Sequence, residues 1–285
     1  MDAKSFLDYQ LAMLHELCPP IEAVGIGGSV GSGEADAMSD LDFFFLLPDD
    51  DFFATIDVFP ELISHRQPPV VSWRRGFNPD FGFTFSYFYN DGTSVEYMLN
   101  CHHSLRRTPM ALKTRVIRDL TGYFTRYHES LIDHPELTAQ HYASESAGAL
   151  LAEILKISKY ARRNELVAVI HRLERLRLIL LALERHISLG DHYVPHDADK
   201  RVHRDLGPAI EDMLALTFCE FSPVRTLDSF RHLDIEIEKR LKALTVKQPL
   251  SDEFWRLKDR LTEQADQHLR DLSHSTATVR HAEPD

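Results

Sequence analysis

Apolar residues fall in short runs over the first part of the chain and recur every three or four positions over the second. Short runs mark strands and the three-four repeat marks amphipathic helices. Residues 5–17 carry Phe6, Leu7, Leu11, Leu14 and Leu17 at helical spacing, and Cys18-Pro19-Pro20 stops that helix. Residues 21–26 are short, apolar and rich in Ile and Val, and predict a strand. Residues 39–47 predict a second, with the apolar run Phe43 to Leu47 bounded by Pro48. A short helix is expected over 49–59, with Phe52, Phe53 and Ile56 inward. Residues 68–73 and 81–89 read as strands; in the latter, Phe81, Phe83, Phe85 and Tyr87 alternate with Gly82, Thr84, Ser86 and Phe88. Asn90-Asp91-Gly92 is a hairpin turn that delivers a further strand over 94–100.

From Leu105 the composition changes, and helices are expected over 137–161, 164–189, 205–219, 224–244 and 252–272, with a frayed tail after Ser273. The second is the clearest: Leu166, Val169, Ile170, Leu173, Leu176, Ile179, Leu180 and Leu183 repeat at three and four, and Gly190 ends it. The predicted fold class is therefore α+β: a mixed-sheet domain over 1–130, then a helical bundle over 131–285. The two parts are expected to pack closely, with a ligand between them.

The chemistry concentrates between the first two strands. The first runs into Gly27-Gly28, where a backbone approaches a phosphate with no Cβ in the way. Ser29 adds a hydroxyl, and Gly31 and Gly33 keep the turn permissive, so its N–H groups can form an anion-binding concavity. Ser39-Asp40-Leu41-Asp42 follows. In a strand, residues i and i+2 share a face, which sets Asp40 and Asp42 side by side with Leu41 opposite. Two such carboxylates repel unless a cation sits between them. Mg²⁺, which takes one or two carboxylates plus substrate phosphates, is the expected ion. The motif is not a P-loop, since Gly-x-x-x-x-Gly-Lys-Ser/Thr is missing, and Val30 stands where a Rossmann pattern needs its third glycine.

This segment resembles the signature of the DNA polymerase β-like nucleotidyltransferase superfamily: Gly-Ser, a glycine four residues after the serine, then Ser-Asp-x-Asp. Here Ser29 to Gly33 is four and Ser29 to Asp40 is eleven. The resemblance implies that Gly28, Ser29, Gly33 and Ser39 bind a nucleotide. It implies that Asp40 and Asp42 are catalytic metal ligands. Family members add a third acidic residue on a later strand, for which Glu96 is the candidate, as metal ligand or general base. The co-substrate implied is ATP or another nucleoside triphosphate, with Mg²⁺. The layout of a motif domain followed by helices resembles the lincosamide and aminoglycoside nucleotidyltransferases. By that analogy the acceptor is a small hydroxylated antibiotic and the protein a homodimer. Two other readings stand beside it: a toxin–antitoxin nucleotidyltransferase that adenylylates a protein, and a non-catalytic nucleotide sensor.

Charge sharpens the choice of acceptor. The 285 residues hold 32 Lys plus Arg against 44 Asp plus Glu, a net charge of −12. Such a surface repels a nucleic-acid backbone, which argues against a polymeric nucleic-acid partner. It steers cations inward and favours a cationic acceptor. Cys18, Cys101 and Cys219 are too few and too scattered for a disulfide framework. The N-terminal stretch lacks the apolar core of a secretory signal, and no apolar run approaches the ~20 residues of a membrane span. The expected protein is cytoplasmic, with no membrane partner. His102, His103, His192 and His196 lack zinc-site spacing and read as loop histidines. The 192–199 loop is a candidate lining for the acceptor pocket. Arg172, Arg175 and Arg177 read as a solvated helix face, and Trp73-Arg74-Arg75 as a phosphate or base contact.

Overall fold

A computed structural model describes residues 12, 21–35, 39–66, 68–78, 82–105, 114–131, 139–190 and 198–280. Apart from Ala12, the predicted helix over 5–17 lies outside the described residues, as does the histidine pair at 192 and 196. The chain forms two compact units, residues 1–134 and 135–285.

In the first unit, strands β1 (Ala23–Ile26), β2 (Leu41–Leu47), β3 (Val71–Asn78), β4 (Gly82–Phe88), β5 (Ser94–Cys101) and β6 (Arg115–Asp119) form one sheet in the order β3-β4-β5-β2-β1-β6. The β2–β5 pair is parallel and the remaining neighbours are antiparallel, so the sheet is mixed. The hairpin between β4 and β5 closes as its Asx chemistry dictates. Thr93 N–H donates to Asp91 Oδ1 at 3.0 Å, and Tyr89 N–H to Thr93 O at 2.9 Å. Hydrogen bonds from the Thr93 side chain and backbone N–H hold the Asp91 carboxyl below its ordinary range, and Gly92 takes the positive φ of 84° that the turn requires.

Period-two alternation sorts β2 onto two faces. Leu41, Phe43, Phe45 and Leu47 join Phe85, Tyr87, Val95, Tyr97 and Leu99 under helix α2 (Phe52–Arg66). The Phe59 ring meets Tyr97 edge-on at 5.3 Å and Phe85 at 5.4 Å. Phe44 and Leu46, with Ala23 and Met98, pack on Phe124 of helix α3 (Tyr123–Leu131). Asp42 precedes Phe44 on that second face.

Several expectations need correction. Phe52 and Ile56 are buried, but Phe53 is 76% exposed, because the inward stripe of α2 runs through Phe52, Ile56, Phe59 and Ile63. That helix also continues past Pro60. The proline removes one backbone bond, yet Ile63 beyond it is fully buried and holds the last turns on the sheet. Thr84 and Ser86, expected on a polar face, are both buried. Strand β6 and helix α3 were not foreseen.

The second unit is helical: α4 (Ala139–Arg162), α5 (Leu166–Leu189), α6 (Val202–Leu206), α7 (Pro208–Ala215), α8 (Pro223–Leu244) and α9 (Asp252–Arg280), after the short α1 (Gly28–Ser32) of the first unit. Helix α4 packs on α5 and α9, and α8 packs on α5 and α9. The four enclose Leu150, Ile154, Leu173, Leu176, Leu180, Phe230, Leu233, Ile237 and Leu269. The expected helix over 205–219 is two helices, because Gly207 (φ 79°, ψ 177°) breaks it and Pro208 starts the next. Helix α9 runs on past Ser273 to Arg280, where a frayed tail was expected. The Arg172–Arg177 face is not simply solvated. Arg177 is buried, donates to Thr217 O and to Glu174, and lies over the Phe218 ring at 4.5 Å.

Candidate functional site

The glycine segment leaves β1 and turns at once into the short helix α1 rather than into an open loop. Gly27 N–H stays on the sheet, donating to Asp42 O at 2.8 Å. Gly31 N–H then donates to Gly27 O at 2.7 Å, and Glu34 N–H to Ser29 O at 2.8 Å. Gly33 ends the turn in the left-handed region at φ 79°. The first N–H groups of any such turn have no intrahelical acceptor and point outward along its axis.

Gly28 fixes the relation between this turn and the carboxylates. Its φ is +56°, and a Cβ added there would lie 2.0 Å from Asp42 Oδ2. The Asp42 carboxylate therefore occupies the space a side chain at position 28 would take. Glycine here allows the backbone conformation and the close approach together. Glycine turn and carboxylate strand, joined only by spacing in the sequence, are in contact.

Asp42 also has a neighbour across the sheet. In the parallel β2–β5 ladder it is the register partner of Glu96. Strands in a ladder lie about 4.8 Å apart, so two carboxylates rise side by side from one face. Asp40 sits one residue ahead of β2 and is exposed, while Leu41 is buried on the opposite face. Ser29 and Ser39 are partly exposed.

Glu96 is held by two groups that charge patterning alone does not reveal. Arg75 Nη1 donates to its Oε1 at 2.7 Å, and Ser86 Oγ to the same oxygen at 2.9 Å. Ser86 is the register partner of Glu96 across the hairpin. Counting back equally from Asn90-Asp91-Gly92 would have found it. Arg75 reaches Glu96 because the β3–β4 register shifts between Arg74 and Gly76, a bulge that re-aims a side chain. The Arg75 guanidinium also lies over the Trp73 ring, 5.2 Å from its centroid. Arg74 goes elsewhere, to Asp57 at 3.9 Å and over Phe83 at 4.8 Å.

Among the described residues, no three His, Cys, Asp or Glu side chains are grouped as around a metal ion. Asp42 and Glu96 come together, and Asp40 stands at the strand entrance. The histidines beside Cys101 are carboxylate partners. His102 Nε2 is 2.7 Å from Glu22 and its ring stacks on Tyr123 at 4.0 Å. His103 N–H donates to Asp49 at 3.0 Å and helps to hold that carboxyl below its ordinary range. Cys101 and Cys219 are free thiols. No described helix is long and apolar enough to cross a membrane.

No family model matches the chain, and no curated protein matches it. Among solved structures it is similar to an aminoglycoside 6-adenyltransferase from Bacillus subtilis, at 14% identity and TM-score 0.38, over 92% of this chain and 95% of that one. It is also similar to the CD-NTase CdnG of Bradyrhizobium diazoefficiens, solved in complex with GTP, at 13% identity and TM-score 0.29, over 96% and 93% of the two chains.

Proposed function

We propose that this chain is a nucleotidyltransferase that moves a nucleoside monophosphate, AMP from ATP, onto a hydroxyl of a small cationic acceptor. The observation that carries the reading is the contact of Gly28 with the Asp42 carboxylate, with Glu96 in register beside it. It supports a triphosphate and its counter-ion sharing one site.

The donor set fits a hard divalent ion. Asp42 and Glu96 are oxygen donors on one sheet face, and Asp40 stands within two residues of the first. Asp42 and Glu96, which the register brings together, would hold Mg²⁺, and Asp40 would join them only by turning in from the strand entrance. When bound, that ion stabilises negative charge on the attacking and leaving oxygens. The chain's own groups do the rest. Gly28 and Ser29 offer N–H donors and a hydroxyl to the triphosphate. Leu41 and Phe43, buried on the opposite face, fix the β2 backbone and so the aim of Asp42. The acceptor oxygen attacks the α-phosphorus, the bond to the pyrophosphate oxygen breaks, and the hydroxyl proton passes to a carboxylate, for which Glu96 is the candidate.

The net charge of −12 supports a cationic acceptor over a nucleic acid. Aminoglycosides and lincosamides, which carry basic amines, are the acceptors to try first. The test incubates the protein with ATP, Mg²⁺ and a panel of both drug classes and reads products by mass spectrometry. A drug carrying one added nucleoside monophosphate supports the proposal. Label found only on protein would move the acceptor to a polypeptide.

A further inference from the structure

We infer that Arg75 is a displaceable counter-ion for Glu96, occupying the carboxylate until a divalent cation replaces it and then resting on Trp73. The inference rests on the nucleotidyltransferase reading of the site and assigns Arg75 a positioning role within it.

The starting problem is electrostatic. Asp42 and Glu96 are register partners on one face, and like charges that close repel. On the Glu96 side Arg75 offsets that repulsion, at 2.7 Å from Oε1. The two holders of Glu96 differ in kind. Ser86 is 1% exposed and fixed in the middle of the sheet, whereas Arg75 has a side chain 46% exposed and sits on the edge strand β3. Ser86 can stay on Oε1 while Arg75 leaves.

Magnitude favours release. A solvent-screened pair of this kind shifts an equilibrium by about five-fold or less, and a doubly charged ion shared with Asp42 competes well against it. Geometry supplies the destination. The guanidinium already lies over the Trp73 ring, an attractive face for a cation released from its carboxylate. The bulge that separates Arg75 from Arg74 makes this possible, since Arg74 is committed to Asp57 and Phe83. In the resting protein, Glu96 is neutralised and oriented by Arg75. With metal present, Arg75 moves onto Trp73 and leaves a net positive group at the rim of the site.

The chain has two tryptophans, Trp73 and Trp255, so Trp255→Phe leaves Trp73 as the sole reporter. In that background, emission is followed with Mg²⁺ alone and metal occupancy with Mn²⁺ by electron paramagnetic resonance, both without nucleotide. Trp73 emission should change in step with occupancy. Arg75→Met should bind Mn²⁺ about five-fold tighter and lose the emission change. Glu96→Gln, which needs no change at Arg75, should show the metal-loaded emission before metal is added. Asp42→Asn should keep the resting emission and bind Mn²⁺ more weakly. Mn²⁺ binding that depends on Asp42, with Trp73 silent and Arg75→Met unchanged, would overturn the role of Arg75 and leave the nucleotidyltransferase reading standing. Mn²⁺ binding indifferent to both Asp42→Asn and Glu96→Gln would remove the metal site and this inference with it.

Discussion

Gly28→Ala separates the cost of a backbone conformation from the cost of crowding a carboxylate. Alanine at φ +56° carries a left-handed strain of about 1–2 kcal/mol. Its Cβ would also lie 2.0 Å from Asp42 Oδ2. The obstructing atom is the far end of a side chain, so Asp42 can swing away and the fold survives. What does not survive is the aim of the carboxylate, and a misplacement of about 1 Å at a reacting centre costs on the order of 100-fold in rate. Gly92→Ala, in the β4–β5 hairpin, is the control. Its φ is +84°, but a Cβ there meets nothing within 4 Å, so it carries the same class of backbone strain without the crowding. Both variants should lose roughly 3–8 °C of melting temperature by calorimetry. Turnover and Mn²⁺ binding should fall in Gly28→Ala and be nearly kept in Gly92→Ala. Equal turnover in the two would refute the idea that Gly28 makes room for Asp42.

Asp42→Asn should abolish nucleotidyl transfer with an unchanged circular dichroism spectrum, and Glu96→Gln should lower kcat by at least about 100-fold as a general acid–base or ligand loss; full activity of either removes that residue from the site. Phe59→Ala should destabilise the sheet unit by about 3–5 kcal/mol in urea titration, because Phe59 is 1% exposed and meets Phe45, Phe85 and Tyr97. The Arg231 guanidinium holds the Asp266 carboxyl below its ordinary value of 3.8, with Arg270 adding to the effect. A depressed carboxyl contributes stability above its unfolded value, and loses it as pH falls through the folded one. Asp266→Asn should therefore cost about 1 kcal/mol at pH 7 after solvent screening, with the difference from wild type closing below about pH 4 in a pH series of melts.

The elements read best were those fixed by local chemistry. Asn90-Asp91-Gly92 named its own turn, and Phe43 to Leu47 could be little other than a buried strand. The three-four repeat from Leu166 to Leu183 gave α5, with Gly190 as its cap. The motif spacing, Ser29 to Asp40, set glycine turn and carboxylates in one short segment. What escaped was set by tertiary context. Strand β6, Arg115–Asp119, is five residues with two arginines, and pairing with β1 rather than its own pattern makes it a strand. Phe53 is as apolar as Phe52, and only the direction of α2 decides which is buried. Pro60 looked like an end, but Ile63 beyond it keeps the helix docked. In the site, Arg75 was noticed as a phosphate or base contact. Its partner Glu96 lies across β4, and the bulge that joins them has no local signature. Ser86 looked like the polar half of an alternation until the hairpin register set it opposite Glu96.

The central claim is that the α-phosphate of a nucleoside triphosphate is transferred. The direct measurement uses two preparations of ATP, labelled at the α- or the γ-phosphorus, with Mg²⁺ and the acceptor panel. The account predicts α-label on the acceptor, γ-label in pyrophosphate, and neither outcome with Asp42→Asn. Label reaching the acceptor from the γ-position, or α-transfer that persists in Asp42→Asn, would contradict it.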